Sequence, residues 1–440
     1  MDAVAGPVGP ETAFHWREGR LWCEEVDLDR LAATLGTPLY VYSAAAMRAR
    51  LEALRAAFGE PAPLVCYALK ANHNIAVVRT LAAGGAGADT VSGGEILRAR
   101  AAGVPPERIV FAGVAKTDEE IRLALGTGIL QFNVESLPEL ERIAELARGM
   151  GRTAPVALRI NPDVAAATHE KIATGRRHDK FGIAFDEAVA AYRYAAGLEG
   201  VAPVGVHLHI GSQIADLAPF EAAYRKAVEL VSALRAVGVP IRRLDLGGGL
   251  AVRYGEAPAA DAGAFAALVR RLTDGLDLEL VLEPGRYLVA EAGVLLASVI
   301  YLKASADRRF LVLDAGMNAL VRPAMYGARH GILPLRAPGR GEPLLAMDVV
   351  GPICESSDVF GRDYLLPRLG RGDRVAFLTA GAYGMVMASD YNSRTAPAEV
   401  LVDGPRWAVI RPRREPAAQL ADEHIPGWLG TAIEDGRGGS

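Results

Sequence analysis

Disulfides have almost nothing to build on in this chain. Its three cysteines, Cys23, Cys66 and Cys354, form no C-x-x-C pair and leave one over. So sparse and odd a set argues against a disulfide framework or a thiolate zinc site and for a reducing cytoplasm. An excess of positive charge is also missing. Lysine and arginine number 48 against 52 acidic residues, so no basic field draws nucleic acid or an anionic membrane. No apolar run reaches the length of a membrane span. Residues 1–14 carry Asp2 and Glu11 but neither a basic n-region nor an apolar h-region, so no signal peptide is expected. Small molecules remain as the expected partners.

What is present is enough for a large core. At 440 residues and 51% hydrophobic, the chain exceeds the size at which a single core stops growing, and two domains are expected. A strand at 20–26 and a helix at 27–35 are followed by a strand at 38–42 and a helix capped by Ser43, with Leu51, Leu54 and Phe58 at helical spacing. Apolar β-rich runs then recur at 64–69, 88–91, 109–112, 129–134, 156–160, 204–209, 244–246 and 278–282, with helical patterns between them. This alternation predicts an α/β fold, a (β/α)8 barrel of the TIM type. After Pro284 the pattern changes to short strands at 293–304, 310–314, 344–350, 374–378 and 399–402, with one helical stretch at 384–392. That predicts a C-terminal, mostly β domain. The expected division is an N-terminal segment 1–37 packing with the β domain, a barrel at 38–289, the β domain at 290–420 and a tail at 421–440. The long insertion at 161–185, with Thr168 to Gly175 inside it, reads as a lid, and the end of the tail reads as unstructured.

Barrel enzymes place their chemistry where strands end on the C-terminal face, and the unusual residues of this chain collect there. Lys70 closes the run 63–69, Asp89 and Glu95 follow the second strand, Asn161 the fifth, and His209 to Gln213 the sixth. Taken alone, a lysine at a strand end is ordinarily solvated. If it is buried, its charge must be matched or removed, and condensation with an aldehyde removes it. Gly247, Gly248 and Gly249 follow the seventh strand, where backbone N–H groups can approach a phosphate closely. Glu283 lies between an apolar strand and a Pro-Gly turn, where a carboxylate needs a donor: a protonated pyridine nitrogen, or Arg286 three residues on. His207 and His209 alternate along a strand and so share a face. The H-x-H pair invites a metal, but no further ligands stand at metal spacing, so no metal is expected. Cys354 sits among Glu355, Ser356, Ser357 and Asp358 rather than apolar neighbours, which is odd for a structural thiol. A protonated thiol there could act as a general acid. A lysine, an anion nest, a buried carboxylate and a stacking histidine together point to pyridoxal phosphate, with Lys70 on its aldehyde, Gly247 to Gly249 on its phosphate and Glu283 on its ring nitrogen.

From Tyr40 to Val402 the chain also resembles a known group, the alanine-racemase-like fold group of pyridoxal phosphate enzymes, and within it the diaminopimelate decarboxylase family. The resemblance rests on Tyr67-Ala-Leu-Lys-Ala-Asn72, Asp89-Thr-Val-Ser-Gly-Gly-Glu95, His207-Leu-His-Ile-Gly-Ser-Gln213, Asp245-Leu-Gly-Gly-Gly-Leu250, Glu283-Pro-Gly-Arg286, Gly351-Pro-Ile-Cys-Glu-Ser-Ser-Asp358 and Gly381-Ala-Tyr-Gly384. It implies that Lys70 holds the cofactor and His209 stacks on its ring. Asp89, Ser212, Gly248, Gly249, Glu283, Pro284, Gly285, Arg286 and Tyr383 are implied to complete the cofactor site. Arg286, Arg322, Tyr326, Glu355 and Tyr383 are implied to bind the substrate's distal carboxylate and amine. Cys354 is implied to reach across a homodimer interface into the partner's site, so the catalytic set is Lys70 with Cys354 and the active sites are shared. The implied reaction is decarboxylation of meso-diaminopimelate at its D-configured centre to L-lysine. Gly327, Ala328 and Gly331 look less polar than the family pattern.

Other readings have specific counts against them. A decarboxylase for ornithine, lysine or arginine has no use for Arg322, which suits a distal carboxylate. A carboxynorspermidine-type decarboxylase is compatible with it. A racemase of this fold would carry arginine where Glu283 stands. A non-catalytic cofactor carrier would not need Cys354 and Tyr383.

Overall fold

The computed structural model describes residues 13–164, 180–255, 257–305 and 307–429. Eight parallel strands close into a barrel: Leu64–Ala68, Gly87–Thr90, Ile109–Phe111, Gln131–Val134, Ala154–Asn161, Val201–His207, Arg243–Asp245 and Glu279–Leu282. Closure comes from Val281 and Leu282 of the eighth strand pairing with Leu64 and Val65 of the first. Each expected run coincides with one of these strands to within a few residues. Parallel strands buried on both faces read as continuous apolar runs, which is why the pattern was visible.

The outer ring is completed in an unexpected way. Only the four-residue helix Arg286–Val289 follows the eighth strand, and the helix Ala44–Phe58, which precedes the first strand, fills the vacant position. Its N-terminus is capped by Ser43, whose hydroxyl accepts the Ala46 N–H, and Phe58 packs edge-on against Phe265 of the neighbouring helix at 6.2 Å.

A second sheet is built mainly from the C-terminal part. Its long strand Gly293–Ser305 lies between Arg308–Leu313 and Leu39–Ser43 and also pairs with Arg374–Phe377; Leu39–Ser43 in turn pairs with Ala398–Asp403. The strand expected at 38–42 at the head of the barrel segment thus stands in the second sheet, where Leu39 and Val41 fill a small apolar core with Val294, Leu296 and Val400. The N-terminal strands and the helix Leu28–Leu35 pack on this sheet. Leu21 donates its N–H to the Leu335 carbonyl, and Asp29 takes ion pairs from Arg336 and Arg374.

Some local expectations fail. The stretch 384–392 forms no α-helix: Met385–Met387 and Tyr391–Ser393 are single 3-10 turns, interrupted by non-helical Gly384 and by Asn392 at φ 56°. The helix Ile75–Ala83 and the strands Val359–Leu366 and Arg406–Arg411 were not expected. The last is an edge strand inside the Pro/Arg-rich piece 405–416, and charge on an edge strand masks the β signal while guarding against edge pairing. Residues 168–179 of the expected lid and the tail end 435–440 lie outside the described residues.

Candidate active site

The polar ring forms at the C-terminal ends of the barrel strands. The first strand ends at Ala68, and Lys70 sits in the one-turn helix Leu69–Ala71 rather than in the strand. The turn is imposed by tertiary bonds: the Tyr67 hydroxyl donates to the Asn72 carbonyl at 2.9 Å, and the Asn72 amide donates to the Gly381 carbonyl at 3.2 Å. Lys70 Nζ is 3.0 Å from Asp89 Oδ2. Burial works against the ammonium, but Asp89, Tyr383 and Glu283 outweigh it and hold the Lys70 pKa above its ordinary value. Although ringed by protein, the lysine side chain keeps 36% of its surface open and lines a cleft.

That cleft is walled by Lys70, His209, Ser212, Gly249, Glu283, Pro284, Gly285, Arg286 and Tyr383, with Tyr287 and Leu250 beside them. Nine residues expected at the cofactor therefore meet in one place. Gly248 adjoins the wall, its N–H donating to His209 Nδ1 at 3.2 Å, so the neutral His209 ring carries its proton on Nε2. Burial, then Arg159 and Lys70, hold the His209 pKa well below the ordinary range. The glycines are required by space. A Cβ on Gly248 would lie 2.3 Å from the Glu283 carbonyl oxygen, and one on Gly249, at φ 117°, 2.6 Å from that of Gly211. Tyr383 holds a left-handed backbone at φ 54° while its N–H donates to the Ala71 carbonyl at 2.8 Å. This strained turn lays its ring 4.6 Å from the Arg286 guanidinium carbon.

Below the cleft the barrel interior is polar. Glu283 Oε1 accepts from the Asn133 amide at 2.8 Å, and Oε2 lies 3.2 Å from His207 Nε2. The same Asn133 amide reaches Asp245 Oδ2 at 3.2 Å, as does that of Gln131. Burial pushes the Glu283 carboxyl up to about 8, with Asp89 adding to it against Lys70. Burial, then the neighbouring Glu283 charge, pushes Asp245 well above its ordinary value. His207, Asp245 and Glu283 bring ligand-type atoms within 4.8 Å of one another, but these atoms are already tied by hydrogen bonds to each other or to Asn133 and Gln131. His207 ends its strand and lies beneath the cleft, whereas His209 is beyond the strand end and lines it.

Two buried cations flank the Tyr254 ring: Arg286, in the cleft wall, and Arg322, which does not line the cleft itself. Arg286 donates to the Tyr254 hydroxyl at 2.9 Å and to Ser212 Oγ at 3.2 Å. The guanidinium carbon of Arg322 sits 4.3 Å from the Tyr254 ring. Among the described residues neither arginine has a carboxylate within ion-pair reach, and the Nε of each is buried without a partner. Burial pulls the Arg322 pKa down from its ordinary value, and Arg286 adds to the effect. Two buried guanidinium groups without a counter-charge call for an anionic ligand. Tyr326 is half-buried on the helix Arg322–Tyr326. Cys354 and Glu355 stand apart: exposed on the loop between Leu345–Val350 and Val359–Leu366, they are bound to Asn392 and Tyr391 and line no part of the cleft.

Sequence reasoning missed Asn133, Gln131, Tyr254 and His330. The first two carried a usable signal, since Gln131-Phe-Asn-Val134 alternates polar and apolar in a strand whose both faces should be apolar. Tyr254 follows the glycine loop, but nothing local marks it.

The donor set fits pyridoxal phosphate: an amine for its aldehyde, glycine N–H groups with Ser212 and Arg286, a cation with no carboxylate partner among the described residues, for its phosphate, and Glu283 for its ring nitrogen. Residues 44–290 match the family described as pyridoxal-dependent decarboxylase, pyridoxal binding domain. The chain is 46% identical to a diaminopimelate decarboxylase of Zymomonas mobilis over 94% of its own length and 99% of the relative's, and 47% identical to that of Vibrio cholerae with the same coverage. A diaminopimelate decarboxylase from M. jannaschii in complex with L-lysine superposes with a TM-score of 0.90 at 39% identity, covering 96% of this chain and 100% of that one. The chain belongs to the pyridoxal-dependent decarboxylases and, within them, to the diaminopimelate decarboxylases.

Proposed function

We propose that this protein removes CO2 from meso-2,6-diaminopimelate to give L-lysine, the last step of lysine biosynthesis, with pyridoxal phosphate as cofactor. The observation that carries the substrate reading is the pair of buried arginines flanking Tyr254, Arg286 in the cleft wall and Arg322 behind it, with no carboxylate among the described residues to satisfy them.

The cofactor supplies an electron sink for the carbanion left when CO2 departs. Lys70 would hold the cofactor's aldehyde through its amine, and Asp89, 3.0 Å from Nζ, steadies the ammonium form of the free lysine. Ser212, Gly248, Gly249, Pro284, Gly285 and Arg286 would hold the phosphate, His209 would stack on the ring and Glu283 would pair with its nitrogen. Arg322 and Tyr326, with Arg286 and Tyr383, hold the distal end of the substrate. A proton then replaces CO2 at the reacting carbon, delivered by the Cys354 thiol or by Lys70.

We read the enzyme as a cytoplasmic homodimer in which Cys354 and Glu355 complete the partner's site. Their exposed loop, remote from the cleft of their own chain, supports this reading, as do the free thiols for the compartment. Among the described residues no helix is long and apolar enough to cross a membrane. The division into barrel, β domain from 290 to 420 and tail is likewise a proposal, with the 1–37 segment assigned to the β domain by its bonds to Leu335, Arg336 and Arg374.

Two experiments test this. Purified holoenzyme should release CO2 from meso-diaminopimelate far faster than from ornithine, lysine or arginine, and equal or faster turnover of ornithine would sink the substrate. Mixing inactive Lys70→Ala subunits with inactive Cys354→Ala subunits should recover up to a quarter of parental activity, roughly the share of sites in random dimers that unite two intact halves. No recovery after confirmed subunit exchange counts against shared sites.

A further inference from the structure

Arg322 is aligned by a neutral group. His330 is buried, 1% exposed, with Nδ1 2.9 Å from the Leu378 carbonyl oxygen and Nε2 3.3 Å from Arg322 Nη1. A carbonyl only accepts, so Nδ1 carries the ring proton, and Nε2 is left as the bare lone pair that receives the guanidinium N–H. A charged ring would set N–H against N–H. Burial, with Arg322 beside it, pushes the His330 pKa down to about 3, consistent with this tautomer.

The imidazole is itself held firmly. The His330 carbonyl accepts from the Tyr364 hydroxyl at 2.7 Å, and the Leu378 N–H donates to the Gly331 carbonyl at 2.8 Å, so the residue that anchors the ring is tied to the residue after His330. Tyr254 closes the other side, its ring 5.2 Å from His330, edge to face, and its hydroxyl bound by Arg286. Arg322 is thus fixed by an acceptor lone pair and an aromatic face. A carboxylate in the place of His330 would fix the arginine equally well but would neutralise it. A neutral acceptor leaves the whole positive charge for the ligand.

We propose that His330, backed by Tyr254, is a positioning residue that aims the charged Arg322 at the substrate's distal carboxylate and so sets the preference for a substrate with two carboxylates. The proposal deepens the substrate reading above and rests on it.

The test compares His330→Asn with His330→Gln in the holoenzyme. Asparagine keeps a donor for Leu378 and removes the acceptor for Arg322, whereas glutamine reaches far enough to return an acceptor near the Nε2 position. Two probes are titrated by calorimetry: L-lysine, which keeps the distal carboxylate, and 1,5-diaminopentane, which lacks it. His330→Asn should raise the KM for meso-diaminopimelate and the Kd for L-lysine together, by about tenfold to a hundredfold, as expected for losing a hydrogen bond to a charged group. The Kd for 1,5-diaminopentane and the cofactor absorbance should not move, and His330→Gln should recover most of the loss. A merely structural histidine gives the reverse order, because asparagine preserves the backbone bond, or affects both probes alike. Either result overturns the proposal, as does failure of both variants to form holoenzyme. If the parent does not decarboxylate meso-diaminopimelate, the substrate reading has failed. L-lysine against 1,5-diaminopentane then still decides the alignment by itself.

Discussion

Lys70→Ala is expected to lower kcat by at least about 10⁴-fold, the scale on which removal of a covalent catalytic group acts. The absorbance of the lysine-bound cofactor should vanish in the same variant. The cofactor itself should still bind, since the glycine turn, Ser212 and Arg286 are untouched, so equilibrium dialysis should find it retained but released by competing phosphate. The cofactor-free variant should also melt below the parent. Asp89 is buried, its Oδ1 already lacks a partner, and loss of Lys70 leaves Oδ2 without its ion pair as well. An unchanged absorbance band, or turnover within tenfold of the parent, would sink the assignment of Lys70.

Glu283→Gln is expected to separate function from stability. If Glu283 is the anionic partner of the ring nitrogen, as proposed, kcat should fall about 10²–10³-fold, the usual scale for one preorganised electrostatic partner. Stability should move the other way at high pH. The Glu283 carboxyl stands at about 8 in the cofactor-free fold against an ordinary 4.5, so the fold holds that proton more tightly than the unfolded chain does. Its contribution is fully present below about 4.5 and is lost as pH rises through about 8. Glutamine cannot ionise, so at pH 9 cofactor-free Glu283→Gln should melt above the parent, with the difference closing by pH 5. Melting curves that stay parallel across that range would show that Glu283 does not titrate as its surroundings require. Asn133 and His207, bound to the two oxygens, are the groups that hold the carboxylate in place once a cation faces it.

Much of the fold was legible because barrel strands buried on both faces leave continuous apolar runs, and because chemistry on a barrel gathers at strand ends. Lys70, His209, Ser212, the Gly248 turn, Glu283 and Arg286 could be found from that rule and from motif spacing, and they converge on one cleft. The stretch 38–42 shows the limit. Its pattern identifies a strand, but strand pattern carries no address, and only packing against Val294, Leu296 and Val400 puts it in the second sheet. The false helix at 384–392 shows the same limit: Gly384 (φ −96°, ψ −89°) and Asn392 (φ 56°, ψ 29°) take non-helical angles that the residue pattern does not announce.

By itself, then, the sequence determined the architecture, the cofactor and the residue types at the cleft, because these follow from periodicity and from which groups stand next to a strand end. Only the tertiary structure decided the electrostatics. Asn133 meets Glu283 across 150 positions, Gln131 meets Asp245 across 114, and Arg322 has no carboxylate partner among the described residues while a neutral His330 fixes its direction. Whether a buried charge is matched, shared or left for a ligand depends on which distant side chains close around it, and no local pattern encodes that.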